Sequence, residues 1–149
     1  MVGYYKKETP VETEVVTITK ITEKTHTSTN IMNKNKKIKL LTYNCSVVFI
    51  ITDELKAIVN NIYKKLKHPD TFSEEAEGVV VTIDIDNYYV VLDTHYLSHN
   101  TIGHELYHAV VKVTEDRDIV DEESQAWLMG YLSQEMYKFI NKNSFTIVN

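Results

Sequence analysis

Early in the last third of the chain, two histidines stand four residues apart, and a glutamate follows the first, in the pentapeptide His104-Glu105-Leu106-Tyr107-His108. On a helix, residues i and i+4 share one face, so both imidazoles can reach the same ion. Neutral imidazole nitrogen binds zinc at roughly 2.0–2.1 Å. Glu105 could take a proton from a water that the metal activates. The pentapeptide therefore predicts zinc (Zn2+) held by His104 and His108, with Glu105 as general base.

The alternative interpretation is an ordinary amphipathic helix with two solvated histidines. Apolar residues at helical spacing predict a helix over 101–113, and they are Ile102, Leu106, Ala109, Val110 and Val113. Two extended apolar stretches, 78–85 and 88–92, precede it, with a turn expected at Asp86-Asn87. A pair of strands leading into such a helix favours the metal site.

A catalytic zinc site needs a third protein ligand and one open position. No histidine follows His108, so a carboxylate is expected, and the segment 121–132 offers two. This segment begins a second predicted helix, with Asp121 near its cap and an end near Ile140. Glu122 and Glu123 diverge by about 100° on a helix, so both cannot serve one ion.

Glu123 is the favoured third ligand, because it shares a helix face with Ala126 and Gly130. Small residues there would let the two helices approach closely. Glu122 remains the main alternative, and either glutamate could simply favour the positive end of the helix dipole. His95 and His99 are further candidates upstream, although His99 lies off the ligand face of the helix.

The combination HELYHAV, followed by DEESQAWLMGYL, resembles the small HExxH proteins of tailed bacteriophages, which are similar to gluzincin-type zinc peptidases. The resemblance covers roughly residues 78–137. It implies a zincin-like fold in which a helix reading E-x-x-A-(aromatic)-L-x-G-(aromatic) follows the HExxH helix. In this chain those positions are Glu123, Ala126, Trp127, Leu128, Gly130 and Tyr131.

One position departs from the thermolysin-like pattern, which places an aspartate four residues after the ligand glutamate to orient a histidine. Trp127 stands there in this chain. Orienting contacts must then come from elsewhere, with Asp118, Asp121 or a backbone carbonyl as candidates. A tyrosine could stabilise the oxyanion, and the sequence leaves five open: Tyr88, Tyr89, Tyr96, Tyr107 and Tyr131.

Composition indicates a folded domain. The 149 residues are 43% hydrophobic with only four glycines and two prolines, which suits a single domain spanning 1–149. A net charge of −5 disfavours nucleic acid as the main partner. The apolar run at 47–51 is far shorter than the ~20 residues that span a membrane. The single cysteine, Cys45, excludes an intrachain disulfide and is expected to be buried.

The remaining pattern predicts the order strand, strand, helix, strand, strand, helix, helix. Residues 11–27 favour extended structure, 28–37 a polar loop, and 38–51 a second extended segment that could pair with the first as a long hairpin. Residues 1–40 could alternatively be a docking segment. The amphipathic helix after Thr52-Asp53 carries Leu55, Ile58, Val59, Ile62 and Leu66 on one face.

The expected fold is thus an α+β, zincin-like domain with a small, mostly antiparallel sheet, the HExxH helix and a following Glu-bearing helix. Either 79–85 or 88–92 could be an edge strand on which an extended peptide docks. The expected function is zinc-dependent hydrolysis of a peptide or protein substrate. The alternatives are a phage accessory or virion protein with a non-catalytic metal site, and a metal-free binding module. The chain lacks an apolar leader, so the cytoplasm of the host cell, or the virion, is the expected location.

Overall fold

The computed structural model describes residues 2–5 and 33–148, which form one mixed β-sheet with helices on both faces. Four strands, β2 to β5, build most of the sheet, and the short strand β1 extends one edge. The bounds are β1 (Val2–Tyr5), β2 (Asn33–Leu40), β3 (Cys45–Thr52), β4 (Gly78–Thr82) and β5 (Asn87–Asp93). Their order across the sheet is β1-β4-β5-β3-β2.

The three helices are α1 (Leu55–Lys65), α2 (His99–Glu115) and α3 (Glu122–Lys142). Helix α2 begins after Ser98, whose side chain accepts a hydrogen bond from the Thr101 amide, and α3 begins after Asp121, which accepts one from the Ser124 amide. The predicted helices and the predicted cap at Asp121 are confirmed. None of the described helices is long and apolar enough to cross a membrane.

The sheet is mixed, so the expectation of a mostly antiparallel sheet is wrong, although the α+β class is confirmed. The β2–β3 and β4–β5 pairs are antiparallel, whereas β3–β5 and β1–β4 are parallel. Parallel neighbours need a crossover connection, and α1 lies in the segment that links β3 to the β4–β5 hairpin. The amphipathic pattern of α1 predicted the helix but not the direction of the strands it connects.

The central strands are buried on both faces. All eight residues of β3 are buried, as expected for a strand with helices on both sides. Val48, Ile50 and Val91 pack in a core with α1, whereas Phe49 and Val90 pack in a second core with α2 and α3. Cys45 is buried, as expected, and burial raises the pKa of its thiol to about 11.

Strand β2 corrects the loop predicted over 28–37, because residues 33–37 belong to the strand Asn33–Leu40. The extended segment predicted over 38–51 is divided between β2 and β3 by a 3-10 turn at Leu41–Tyr43. Strand β2 is the edge strand beside β3, and its register pairs Asn33 with Thr52 and Leu40 with Cys45. Strand β3 therefore has β2 and β5 as its two neighbours, and it does not form the predicted long hairpin with residues 11–27. That extended segment itself lies outside the described residues.

The turn between β4 and β5 comes slightly earlier than predicted, over residues 83–86, and Asn87 is the first residue of β5. The Asp84 carboxylate accepts hydrogen bonds from the amides of Asp86 and Asn87, at 2.8 and 2.7 Å. A carboxylate that closes its own turn in this way replaces the Asp86-Asn87 turn expected from the sequence.

Arg117 fixes the C-terminal end of α2 to the sheet. Its guanidinium donates to the carbonyls of Tyr43 and Ile85 and to the hydroxyl of Tyr88. The Tyr88 hydroxyl in turn donates to the Asp116 carboxylate at 2.7 Å. These bonds tie the helix to β5 and to both strand connections at that end of the sheet, so α2 has a defined position over β4 and β5.

Candidate metal centre

The imidazoles of His104 and His108 converge on the exposed side of α2. Their Nε2 atoms lie 3.0 Å apart, with the ring planes inclined at 72°. Two nitrogens bound to one tetrahedral zinc, each at roughly 2.0–2.1 Å, would stand about 3.3 Å apart. The observed separation is close to this value, so the pair is spaced to share an ion.

The electrostatics at His108 favour neutral imidazole, which is the form that binds a metal. Burial lowers the pKa of His108, and the neighbouring charge of a protonated His104 lowers it further. The His104 side chain is 40% exposed. A ligand from solution can therefore reach the pair, and protons compete weakly for His108 at neutral pH.

Glu105 lies beneath the pair and has no exposed surface. Its Oε1 atom is 4.0 Å from Nε2 of His104, and neither carboxylate oxygen has a hydrogen-bond partner among the described residues. Burial raises the pKa of Glu105 to about 7. A buried carboxyl group without partners is costly in a folded protein. It is therefore a group that a metal, a water or a substrate could satisfy.

Gly78 makes room for Glu105. A Cβ atom at position 78 would lie 2.7 Å from Cγ of Glu105 and 3.0 Å from Cδ2 of Leu92. The first distance is too short for a real contact and the second is tight, so a larger residue at the start of β4 would force the Glu105 side chain to shift. The sequence pattern predicts Gly78 only as the start of a strand. A glycine at the head of an otherwise β-branched run was the available signal.

Glu77 links the same end of β4 to α2 and β5. Its Oε2 atom accepts a hydrogen bond from Thr101 at 3.0 Å, and its carbonyl accepts one from the Asp93 amide at 3.0 Å. Thr101 lies one turn before Glu105 on α2. The start of β4 is thus held against the part of α2 that carries the histidine pair.

Glu122 and Glu123 lie at the exposed start of α3. Within residues 2–5 and 33–148, no group of three or more His, Cys, Asp or Glu side chains is placed to hold an ion. The structure therefore brings His104, Glu105 and His108 together and leaves both candidate third ligands apart from them.

The geometry of the α2–α3 contact explains this separation. The helices are antiparallel, as two hydrogen bonds between them show. Nδ1 of His99 lies 2.7 Å from the Tyr137 hydroxyl, and Nε2 of Gln125 donates to the Thr114 hydroxyl at 3.3 Å. Seen down the axis of α2, His104 and His108 are rotated by about 140° and 180° from His99, at ~100° per residue. The histidine pair therefore faces away from the side on which α2 meets α3.

The reason given for choosing Glu123 over Glu122 is wrong. Ala126 and Gly130 are exposed, and a Cβ atom at Gly130 would meet nothing within 4 Å. They do not form a close helix contact. Trp127, in the position where the thermolysin-like pattern has an aspartate, is 69% exposed and stacks on Tyr131.

The other candidate ligands have other partners. Nδ1 of His95 lies 2.8 Å from the Asp93 carboxylate, and Nδ1 of His99 lies 2.7 Å from the Tyr137 hydroxyl. Asp121 caps α3, and Asp118 adopts a left-handed backbone conformation in the turn before it. No described contact joins any of these four residues to His104 or His108.

The five tyrosines considered for an oxyanion role divide by burial. Tyr88 and Tyr89 are fully buried in the sheet, and Tyr131 is half-buried against Trp127. Tyr96 and Tyr107 are 50% and 57% exposed. Of the five, Tyr107 alone lies within the HExxH turn, on a different side of the helix from the histidine pair.

The expected docking strand is also corrected. Strand β5 lies between β4 and β3, so 88–92 is not an edge. Strand β4 would be an edge beside α2, but β1 pairs with it in parallel, from Val2 opposite Val79 to Tyr5 opposite Thr82. Strand β1 could not be predicted from the sequence, because a four-residue strand is too short to show a period.

Comparison with known proteins gives no match to a protein-family model, a curated protein or a solved structure. The interpretation of the site therefore rests on the residues and their geometry.

Proposed function

We propose that the chain is a zinc-dependent metallopeptidase whose metal is held by His104 and His108. The observation that carries the proposal is that Nε2 of His104 lies 3.0 Å from Nε2 of His108 and 4.0 Å from the buried Glu105 carboxyl group, which has no hydrogen-bond partner among the described residues. We also propose that the fold is of zincin type, which is supported by the packing of the HExxH helix α2 against β4 and β5.

A zinc ion at this pair would supply Lewis-acid polarisation of the scissile carbonyl. Glu105 has the role of proton carrier: it takes a proton from the attacking water and delivers it to the leaving amine. A carboxyl group with a pKa of about 7 can exchange a proton in both directions near neutral pH. Burial of Glu105 is the cause of that pKa and therefore supports this role.

Glu123 is the proposed third ligand, with Glu122 as the alternative. Both lie at the exposed N-terminal end of α3, so the proposal requires this end, or the glutamate side chain, to move toward the histidine pair. Binding free energy of the metal can drive such ordering, because the complete ligand set exists only in the bound state.

The proposed substrate is an extended peptide or protein segment, and the proposed location is the cytoplasm of a host cell or a phage particle. A second candidate function, a phage accessory or virion protein with a non-catalytic metal site, is favoured by one observation. Glu105 has no exposed surface, and a general base must be reached by water and substrate.

The test is hydrolysis by the Glu105→Gln variant, with a quenched-fluorescent peptide library as substrate. Glutamine preserves the size of the side chain but cannot accept the proton, so bound zinc should be retained while hydrolysis falls by roughly 10²–10⁴-fold. Tyr107→Phe, in the same helical turn, is the matched control and should retain activity. Equal rates for Glu105→Gln and the parent chain would exclude Glu105 from catalysis. If the parent chain hydrolyses nothing in the library, the non-catalytic function is favoured.

A further inference from the structure

Strand β1 occupies the sheet edge next to Glu105. Val2 pairs with Val79, the neighbour of Gly78, and Gly78 is the residue whose Cα lies against the Glu105 side chain. Helix α2 also contacts β1 directly. A backbone in the position of β1 therefore runs past the buried carboxyl group, along the edge of β4.

The burial of Glu105 makes this edge significant. For Glu105 to act on water and substrate, an element packed near it must move. Strand β4 is held by β5 and by the bonds of Glu77, and α2 is anchored at its far end by Arg117. Strand β1 has four residues and a single neighbouring strand in the described sheet, so it is the element that can be released at least cost.

We propose that Val2–Tyr5 is a self-inhibitory strand, which occupies the edge of β4 where an extended peptide docks and so closes the site around Glu105. Release of β1 exposes a row of backbone donors and acceptors on β4. A peptide from another chain then pairs with that row by main-chain hydrogen bonds. The inference rests on the proposed function for its catalytic consequence, but the occupancy of the edge can be tested without catalysis.

A reversible cross-link tests this in the full chain. Tyr4 and Val81 are partners in register, and neighbouring strands lie about 4.7–4.9 Å apart, which is within the range that a disulfide spans. Val81 packs in the core with α1, on the face of the sheet opposite α2, so a bond there is remote from Glu105. Cys45 is buried with its thiol pKa raised to about 11, and it competes poorly for disulfide exchange.

The experiment compares oxidised and reduced Tyr4→Cys/Val81→Cys protein with a second variant, Gly3→Pro/Tyr4→Pro. Alternate residues of a strand donate their backbone N–H groups to a given neighbour, so either Gly3 or Tyr4 donates to β4. Replacing both residues by proline removes that donor in either case. The probe is a fluorescein-labelled peptide with the sequence of residues 1–8, and its binding is measured by fluorescence anisotropy. Hydrolysis of the peptide library is measured on the same samples.

We expect the oxidised protein to bind no probe and the reduced protein to bind it. The proline variant should bind at least tenfold more tightly than the parent chain. Equal probe binding by oxidised and reduced protein would overturn the inference, as would failure of the two cysteines to cross-link. If binding follows the expected order but no sample hydrolyses peptides, the occupancy of the edge stands and the peptidase function fails. Hydrolysis that is equal in all samples supports a peptidase and overturns self-inhibition.

Discussion

Among single residues, Glu105 has the most unusual environment, since it is a carboxyl group with no exposed surface and no described hydrogen-bond partner. Its position beside His104 predicts a role as general base, and that role stays a prediction. The sequence could not predict the burial, because that depends on Gly78, which is 27 positions earlier in the chain and whose missing side chain creates the space. Long-range contacts of this kind leave no periodic signal.

Ionisation of Glu105 should make the metal-free protein less stable as pH rises. The folded chain keeps the proton up to about pH 7, whereas the unfolded chain releases it near the ordinary value of 4.5. The free energy of unfolding therefore falls by about 3 kcal/mol between pH 4.5 and pH 7. Above pH 7 this contribution no longer changes. Glu105→Gln cannot ionise, so it should gain about this much relative to the parent chain between pH 4 and pH 8.

Urea denaturation of both proteins in the presence of a chelator measures this gain, and taking the difference between them cancels the other titrating groups. A difference that stays constant between pH 4 and pH 8 would show that Glu105 ionises as freely in the folded chain as in the unfolded one.

Gly78→Ala should destabilise the protein by about 1–3 kcal/mol, because the added methyl group overlaps Glu105 and Leu92. The loss should be smaller when Glu105→Ala is also present, since that change removes the closer of the two overlaps. Gly130→Ala is the matched control: a Cβ there meets nothing, and helix propensity should stabilise α3 by up to about 1 kcal/mol. Denaturant unfolding of Gly78→Ala, Glu105→Ala, the variant with both changes and Gly130→Ala checks this, and an unaltered midpoint for Gly78→Ala would contradict the close contact.

At the scale of elements, the helices could be predicted and the sheet only partly. Apolar residues at helical spacing in α1 and α2 and the Asp121 cap are local signals, and the structure confirms them. Residues 33–37 of strand β2 are predicted as a loop, because this part of its sequence, NKNKK, has no apolar residue. An edge strand needs only one buried face, and lysines along it oppose pairing with other chains. The strand order was not predictable, because it depends on pairing between distant segments.

The position of α3 relative to the histidine pair decides the third ligand. Glu123→Ala should weaken zinc affinity by at least tenfold, because losing a ligand costs no less than losing a contact that supports a ligand, which is worth about 10–100-fold. Glu122→Ala should change the affinity by less than about threefold, because Glu122 points about 100° away from Glu123 on the helix. Competition with a chromogenic chelator measures both affinities under identical conditions. A larger loss for Glu122→Ala would assign the ligand to Glu122, and no loss for either variant would place the third ligand outside α3.

At the scale of the whole molecule, the candidate site lies where α2 passes the end of the sheet that carries Gly78. Arg117 fixes α2 at one end, and the bond between Thr101 and Glu77 fixes it near the other. The histidine pair thus lies on a helix that is held near both ends. The proposed third ligand requires the start of α3 to move, and the proposed self-inhibition requires strand β1 to move. In these proposals, metal binding completes the ligand set, and an extended peptide replaces β1 at the edge of β4.

Zinc content of the purified chain, measured by elemental analysis without exposure to chelators, tests the central claim most directly. We expect about one zinc per chain, lost in His104→Ala because His108 and one carboxylate bind the ion too weakly without the second imidazole. His99→Ala is the matched control and should retain the metal, since His99 is bonded to Tyr137 on another side of α2. A parent chain without zinc, or a His104→Ala variant that keeps it, would contradict the assignment of this pair as a zinc site.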